Sequence, residues 1–183
     1  MRWLESCSVA IAFALVACGQ PAAEPKEAGA DSGGSAHAEP AVASGAADPA
    51  AILEALKLEP DAQGQIVNEC GDRVTPSIVA AELGGAVGTA QLVAIGGGPS
   101  MAACYGDGPD LHLMKPEGAG YREIYAARGR MLIVLPTSHD GVHDLADGGP
   151  GFSFPVWQWN GGTYAPAGRE VADADLSAAT FLP

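Results

Sequence analysis

The sequence is short of basic and aromatic side chains. Its 183 residues include 9 Lys and Arg against 22 Asp and Glu, a formal net charge of −13 at pH 7, and only 6% of the residues are aromatic. Nucleic acids and bilayer surfaces are both anionic, so this charge argues against binding to either of them by electrostatic attraction. A basic protein partner is the natural complement. The other interpretation is that an acidic surface simply keeps the protein soluble.

The apolar run near the amino terminus is too short to cross a bilayer. It begins near Val9 and ends in Leu15-Val16-Ala17-Cys18, about nine residues where a membrane-spanning helix needs about 20. This length is typical of the apolar region of a signal peptide, and the last four residues form a lipobox. We therefore predict that residues 1–17 are a lipoprotein signal peptide and that Cys18 carries the lipid. The alternative is a plain secretory signal or a buried helix in which Cys18 is not lipidated.

Residues 18–47 are predicted to be the lipidated cysteine and a disordered tether. After Cys18 the segment consists mostly of Gly, Ala, Pro, Ser and Glu, with no aromatic residue and with Val42 as its one branched aliphatic residue, so it cannot bury enough surface to offset the entropy of ordering. Gly19 stands where an Asp would indicate retention at the inner membrane of Gram-negative bacteria. We therefore predict an anchor in the outer membrane that faces the periplasm. Residues 48–183 are long enough for one domain.

Cysteine is scarce, with four residues in the chain. Cys7 belongs to the predicted signal peptide and Cys18 is the predicted lipid acceptor, which leaves Cys70 and Cys104. An exported domain with two remaining thiols is expected to join them in a disulfide. Two cysteines without histidines at matching spacing make a poor zinc site.

Turn residues punctuate the domain at intervals of about ten residues. Asp48-Pro49 precedes apolar residues at helical spacing and predicts one short helix with Asp48 as its N-cap. The short apolar or alternating runs that follow predict an antiparallel all-β domain. The predicted strands are 77–81, 91–95, 101–105, 110–114, 121–125, 131–135, 142–146, 154–159 and 162–165. Asp140-Gly141 and Asn160-Gly161-Gly162 predict hairpin turns, and the tail from Ala167 is expected to be loose or a short helix.

Three motifs carry the pattern of a known family. They are Gly71-Asp72-Arg73-Val74-Thr75-Pro76, Cys104-Tyr105-Gly106, and Gly148-Gly149-Pro150-Gly151-Phe152 running into Phe154-Pro155-Val156-Trp157-Gln158-Trp159-Asn160-Gly161 and Tyr164. Over roughly residues 65–166 the chain resembles small secreted β-domains of Gram-negative bacteria. That family includes immunity lipoproteins against peptidoglycan-degrading effectors, and its fold is similar to that of periplasmic lysozyme inhibitors. The expected fold is all-β and antiparallel, β-propeller-like or a small sandwich or barrel, with one short amino-terminal helix.

The resemblance implies a binding module and not an enzyme: an inhibitor or immunity protein against a cell-wall hydrolase. In the lysozyme inhibitors a loop tyrosine near glycine enters the cleft of the enzyme, which makes Tyr105 and Tyr164 candidates by resemblance. The alternative for each is a tyrosine with a structural role. Asp107, His139 and Asp140, in predicted turns, complete the predicted partner-binding residues. Two alternatives stay open: an envelope or wall-binding lipoprotein without inhibitory activity, and a hydrolase with an unrecognised site.

We predict no metal and no cofactor. The family often has an acidic calcium loop between the second and third strands of the region that the resemblance covers. In this chain the corresponding residues 82–90 retain Glu82 as their one charged side chain. His139 and His143 are four residues apart, yet Asp140-Gly141 between them predicts a hairpin and not a metal-binding helix. Gly148-Gly149-Pro150-Gly151 is read as a structural turn and not as a phosphate cradle.

Trp157 and Trp159 are two residues apart in a predicted strand, so they face the same side of it. Phe152 and Phe154 continue the alternation of aromatic residues. We expect the two tryptophans to pack in the core. The alternative is an exposed platform that stacks on sugars, which would favour the wall-binding function.

Overall fold

The fold is all-β and antiparallel, as predicted. The computed structural model describes residues 47–104, 106, 108–148 and 153–183. Cys18, Tyr105, Asp107 and the stretch 149–152 lie outside the described residues, as do the predicted signal peptide and almost all of the predicted tether. No helix among the described residues has the length and apolar character needed to span a membrane.

Helix α1 (Pro49–Ala55) begins at the predicted N-cap. The Asp48 carboxylate accepts hydrogen bonds from the amides of Ala50 and Ala51 at 3.0 and 3.3 Å, which satisfies two of the amides that a helix start leaves unpaired. The apolar face of the helix packs on the first sheet. The buried residues of this cluster are Ile52, Leu53, Ile66, Val74, Val93, Ile95 and Met114.

The first large sheet is a meander of four consecutive strands. These are β3 (Ser77–Gly84), β4 (Gly88–Ile95), β5 (Asp110–Glu117) and β6 (Gly120–Arg128), each antiparallel to the next. Before it, β1 (Ile66–Val67) and β2 (Arg73–Val74) form a separate two-stranded sheet.

The second large sheet has five strands. These are β7 (Met131–His139), β8 (Val142–Gly148), β9 (Ser153–Trp159), β10 (Tyr164–Ala172) and β11 (Thr180–Leu182). Their order across the sheet is β10-β9-β8-β7-β11, so the last strand returns to the edge opposite β10.

The two large sheets share one hydrophobic core, which makes the domain a small sandwich. Each strand contributes alternate residues to this core because successive side chains point to opposite faces of a sheet. The buried core residues are Ala81, Leu83, Val87, Ala90, Leu92, Leu111, Leu113, Ile124, Tyr125, Leu132, Val134, Val142, Leu145, Trp159 and Tyr164. The outer face of the second sheet carries a further cluster: Ile133, Leu135, Ala146, Phe154, Val156 and Leu176.

The tryptophan prediction is confirmed. Trp159 is buried in the shared core, and the half-buried Trp157 packs against it. Phe154 lies on the other face of the same strand, in the outer cluster.

Two sequence predictions of local structure are wrong. The predicted strand 101–105 is instead a short helical turn, α2 (Met101–Cys104), in which the Cys104 amide donates to the Ser100 carbonyl at 3.0 Å. The tail after Ala167 is neither loose nor only helical: β10 continues to Ala172, a 3-10 turn follows, and β11 pairs with β7. The free edge of β7 supplies the backbone partners that make this short segment a strand.

The four hairpin turns of the large sheets lie at one end of the sandwich, here called the hairpin end. They comprise residues 85–87, 118–119, 140–141 and 160–163. Arg122, in β6 just after the second of these turns, connects the two sheets by donating a hydrogen bond to the Gly162 carbonyl at 2.8 Å. The opposite end is called the loop end and contains, among the described residues, 96–104, 106, 108–109 and 129–130. There the Gly129 amide donates to the Pro109 carbonyl at 3.2 Å, where the chain passes from the first sheet to the second.

Candidate functional site

The β7–β8 hairpin presents two predicted contact residues at its tip. Asp140 and Gly141 have φ angles of +52° and +76°, and His139 pairs with Val142 across the turn. Positive φ at both central residues of a two-residue turn is the type I′ geometry, which suits the twist of the flanking strands. The side chains of His139 and Asp140 are 54% and 75% exposed. The predicted hairpin is thus confirmed, and its tip directs an imidazole and a carboxylate into solvent.

The neighbouring β3–β4 turn supports this tip through a close backbone contact. A Cβ atom placed on Gly85 would lie 2.8 Å from the carbonyl carbon and oxygen of Gly141 and from Cγ2 of Val142. No side chain fits at such distances unless the backbone shifts. The glycine-rich segment that the sequence suggested as the remnant of a calcium loop therefore allows the two turns to touch. Its Glu82 carboxylate accepts a hydrogen bond from the Thr89 hydroxyl at 2.8 Å.

Below the tip, His143 and Asp144 point to opposite faces of β8. Nδ1 of His143 donates to the Leu135 carbonyl at 2.8 Å. The Asp144 side chain is 1% exposed, and its Oδ2 accepts from Thr137 Oγ1 and Arg169 Nη2, both at 2.7 Å. A buried carboxylate is costly without a cation and hydrogen bonds, so this cluster has a structural role. Among the described residues, no three His, Cys, Asp or Glu side chains come together as a possible metal site.

Tyr164 lies at the edge of a loop, as predicted, but its side chain is buried and is not a contact residue. It is the first residue of β10, is 6% exposed, and its hydroxyl donates to the His143 carbonyl at 2.8 Å. Its ring meets those of Trp159 and Tyr125 edge to face, with centroids 5.6 and 6.1 Å apart. Burial, together with the charge of Asp144, raises the pKa of the Tyr164 hydroxyl. A tyrosine held in this way packs the core and is not available to a partner.

At the loop end, two tethers fix the segment that precedes β5. Cys70 and Cys104 form the predicted disulfide, with Cα atoms 6.0 Å apart and a sequence separation of 34. The Asp72 carboxylate accepts hydrogen bonds from the Ser100 amide and hydroxyl at 2.8 and 3.1 Å. Both tethers join this segment to the turn between β1 and β2.

The tethered segment borders an open cleft of about 620 Å³. The cleft is lined by Gly98, Pro99, Met101, Ala102, Gly106, Gly108, Pro109 and Arg130. Gly106 and Gly108 are the sequence neighbours of two predicted contact residues, Tyr105 and Asp107. Those two residues themselves lie outside the part of the chain that the structure describes. Arg130 is the one charged residue among the described residues that line this cleft.

Arg130 differs from the other four arginines of the described residues. Each of those four forms an ion pair, at the shortest N–O distances of 2.6, 2.9, 2.8 and 2.7 Å for Arg73, Arg122, Arg128 and Arg169. The guanidinium of Arg130 has no ion pair or hydrogen bond with the described residues. The sequence does not identify Arg130 as a candidate site residue, because an arginine without a partner has no local sequence signature.

A second unusual carboxyl lies on β8, away from the cleft lining. Burial raises the pKa of Asp147, and the hydrogen bond that Trp157 Nε1 donates to its Oδ2 at 3.0 Å acts in the opposite direction. Its Oδ1 is buried without a hydrogen-bond partner among the described residues, as is the hydroxyl of Tyr125. The Tyr125 and Trp157 rings meet edge to face at 5.2 Å. Perturbed carboxyls occur at functional sites, but this one lies against the indole and not in a described cleft.

The predicted contact residues therefore do not form one surface. His139 and Asp140 lie together at the hairpin end, Tyr164 lies in the core, and the neighbours of Tyr105 and Asp107 line the cleft at the loop end. Comparison of the chain with protein-family models, with curated proteins and with solved structures finds no significant match. The resemblance to secreted inhibitor domains therefore remains a prediction.

Proposed function

We propose that the protein is an outer-membrane-anchored periplasmic lipoprotein whose β-domain inhibits a basic cell-wall hydrolase. The inhibitory element is the tip of the β7–β8 hairpin, which enters the cleft of the enzyme. The observation that carries this proposal is the exposure of His139 and Asp140 on a turn that is held against a second turn.

Preorganisation of the tip supports this mechanism. Binding a flexible loop requires it to be ordered at the interface, and this lowers affinity. Here the type I′ turn fixes the backbone of Asp140-Gly141, and the contact with Gly85 restricts its movement. The tip can therefore enter a concave surface with little further loss of conformational entropy.

The charge of the domain supports the choice of partner. Residues 48–183 contain 7 basic and 17 acidic side chains, which gives them a net charge of −10. Complementary charge raises the rate of encounter with a basic protein and makes that rate fall with added salt. Many hydrolases that act on the anionic cell wall are basic, which is the charge that this domain would attract.

The alternative functions have less support among the described residues. A sugar-stacking platform needs exposed tryptophans, whereas Trp157 and Trp159 pack in the core. A hydrolase needs acid, base or nucleophilic side chains in a cleft. The described residues that line the cleft beside Arg130 include no carboxylate, histidine or hydroxyl side chain. In a second cleft of about 480 Å³ beside α1, the carboxylates Glu54 and Glu59 are both exposed. The inhibitor is therefore the function that the arrangement supports best.

The experiment that tests the proposal measures the lysis of a cell-wall suspension by a panel of basic glycosidases and amidases, with and without the purified full-length protein. The double variant His139→Gln, Asp140→Asn removes the two titratable groups, and Asn retains the tolerance for positive φ that the turn requires. We expect the wild type to inhibit at least one hydrolase and the variant to need about 10- to 100-fold more protein, which corresponds to the net loss of one hydrogen bond to a charged group, about 1.5–3 kcal/mol.

The matched control is Glu59→Gln, which removes one exposed carboxylate outside the hairpin end. It should inhibit as strongly as the wild type. Failure of the wild type to inhibit any hydrolase in the panel would sink the proposed function. Equal inhibition by the tip variant and the wild type would exclude the hairpin tip as the inhibitory element.

A further inference from the structure

We infer a second binding site at the loop end: the cleft beside Arg130 binds an organic monocarboxylate, namely the free carboxyl terminus of a peptide whose last residues are small. This site is separate from the hairpin tip and does not depend on the proposed inhibition. The inference rests on the state of Arg130, on the chemistry of the lining and on the tethers that hold the lining in place.

The Arg130 guanidinium has no ion-pair or hydrogen-bond partner among the described residues. The domain contains more than twice as many acidic as basic side chains, and the four other described arginines each have a carboxylate partner. Asp72, in the tether of the segment that lines the cleft, already accepts two hydrogen bonds from Ser100. The planar guanidinium of Arg130 is permanently charged, and its N–H groups are free to donate. Two of these N–H groups can bind the two oxygens of a carboxylate in a bidentate pair.

The described lining around Arg130 is apolar. It consists of three glycines, two prolines, Met101 and Ala102, and among the described residues it has no lysine, histidine or hydroxyl side chain. A phosphate dianion needs more charge and more donors than this set provides. A singly charged group attached to small apolar groups matches both parts of the lining. The volume of about 620 Å³ lies within the range of small-ligand sites, about 300–1,000 Å³.

Two tethers and a close backbone contact hold the lining of the cleft in position. The disulfide of Cys104 and the Asp72–Ser100 hydrogen bonds fix the segment from two sides. At Gly108 a Cβ atom would lie only 2.5 Å from the carbonyl oxygen of Gly129, so the two backbone segments that lead into the cleft are in close contact. A site that needs no rearrangement on binding retains more of its interaction energy as affinity.

The test is a titration of the full-length protein with N-acetyl-Ala-Ala and, separately, with its carboxyl-terminal amide, followed by amide chemical shifts or calorimetry. The acid should bind and the amide should bind at least about tenfold more weakly, because it lacks the charge that the guanidinium recognises. Arg130→Gln should lose the preference for the acid over the amide. Arg130→Lys should retain part of that preference, because the ammonium keeps the charge but cannot form the bidentate pair. The matched control Arg73→Gln should behave as the wild type.

Acetate and inorganic phosphate are titrated in parallel to separate the possible sources of the anion. Acetate should bind more weakly than the dipeptide because it does not contact the apolar lining. Equal affinity for acid and amide, absence of binding by the wild type, or an unchanged preference in Arg130→Gln would overturn the inference. Phosphate or acetate that bound as tightly as the dipeptide would show a general anion site and would overturn the assignment to a peptide end.

Discussion

The contact between the β3–β4 and β7–β8 turns can be tested by adding a single methyl group. Gly85 has a φ angle of +51°, and its Cβ position lies 2.8 Å from atoms of Gly141 and Val142. Gly85→Ala therefore carries two separate costs. Left-handed backbone costs an alanine about 1–2 kcal/mol, and forcing extra volume into a tight contact costs about 1–3 kcal/mol. We expect a total loss of about 2–5 kcal/mol in the free energy of unfolding.

The control for the backbone cost is Gly118→Ala, in the turn between β5 and β6. Gly118 has a similar φ angle of +61°, but nothing lies within 4 Å of its Cβ position. Urea unfolding, followed by tryptophan fluorescence, should show that Gly85→Ala is less stable than Gly118→Ala by about 1–3 kcal/mol, the cost of the contact alone. Equal losses in the two variants would refute the contact. If the tip is the inhibitory element, Gly85→Ala should also inhibit the hydrolase less strongly than Gly118→Ala.

Three other changes test the described interactions. Cys70→Ser with Cys104→Ser opens a loop of 34 residues and should lower the free energy of unfolding by about 3–4 kcal/mol in urea. Asp147→Asn should raise the melting temperature at pH 7 and lose this gain below about pH 4. A carboxyl whose pKa is raised in the folded state stabilises the fold below its unfolded pKa of about 3.9, and this contribution is lost as the pH rises through the folded pKa. Arg169→Met leaves a buried carboxylate without its cation and should lower the free energy of unfolding in urea at pH 7 by about 1–3 kcal/mol. The control Arg73→Met breaks an exposed pair and should leave the urea midpoint almost unchanged. Similar midpoints for these two variants would contradict the structural role of the buried pair.

The sequence was sufficient to predict elements that depend on neighbouring residues. The Asp48 cap, the type I′ turn at Asp140-Gly141 and the turn that begins at Asn160 all follow from short-range hydrogen bonding and backbone preferences. Eight of the nine predicted strands overlap observed ones, because alternation of side chains is a local signal. The disulfide followed from the small number of thiols in a domain expected to be exported.

The features that the sequence did not predict depend on residues far apart in the chain. Ser100 donates to Asp72 and stands at the start of the helical turn that replaces the predicted strand. Tyr164 follows a glycine turn, and only the register of β10 shows that its side chain faces inward. The unpaired state of Arg130 and the contact made by Gly85 are both properties of the assembled sandwich. A single sequence contains no signal for either of them.

The position of β11 has a consequence for how the chain associates with other chains. Thr180, the first residue of β11, lies 41 residues after the end of β7 and is the partner that covers one edge of that strand. Until β11 pairs, the amides and carbonyls of Leu132, Ile133 and Val134 lie at an open edge of the second sheet, beside apolar side chains. An open apolar edge can pair with a strand of another chain. A variant whose β11 cannot pair is therefore expected to aggregate more readily than the wild type, which makes this three-residue strand a guard against association through the sheet edge.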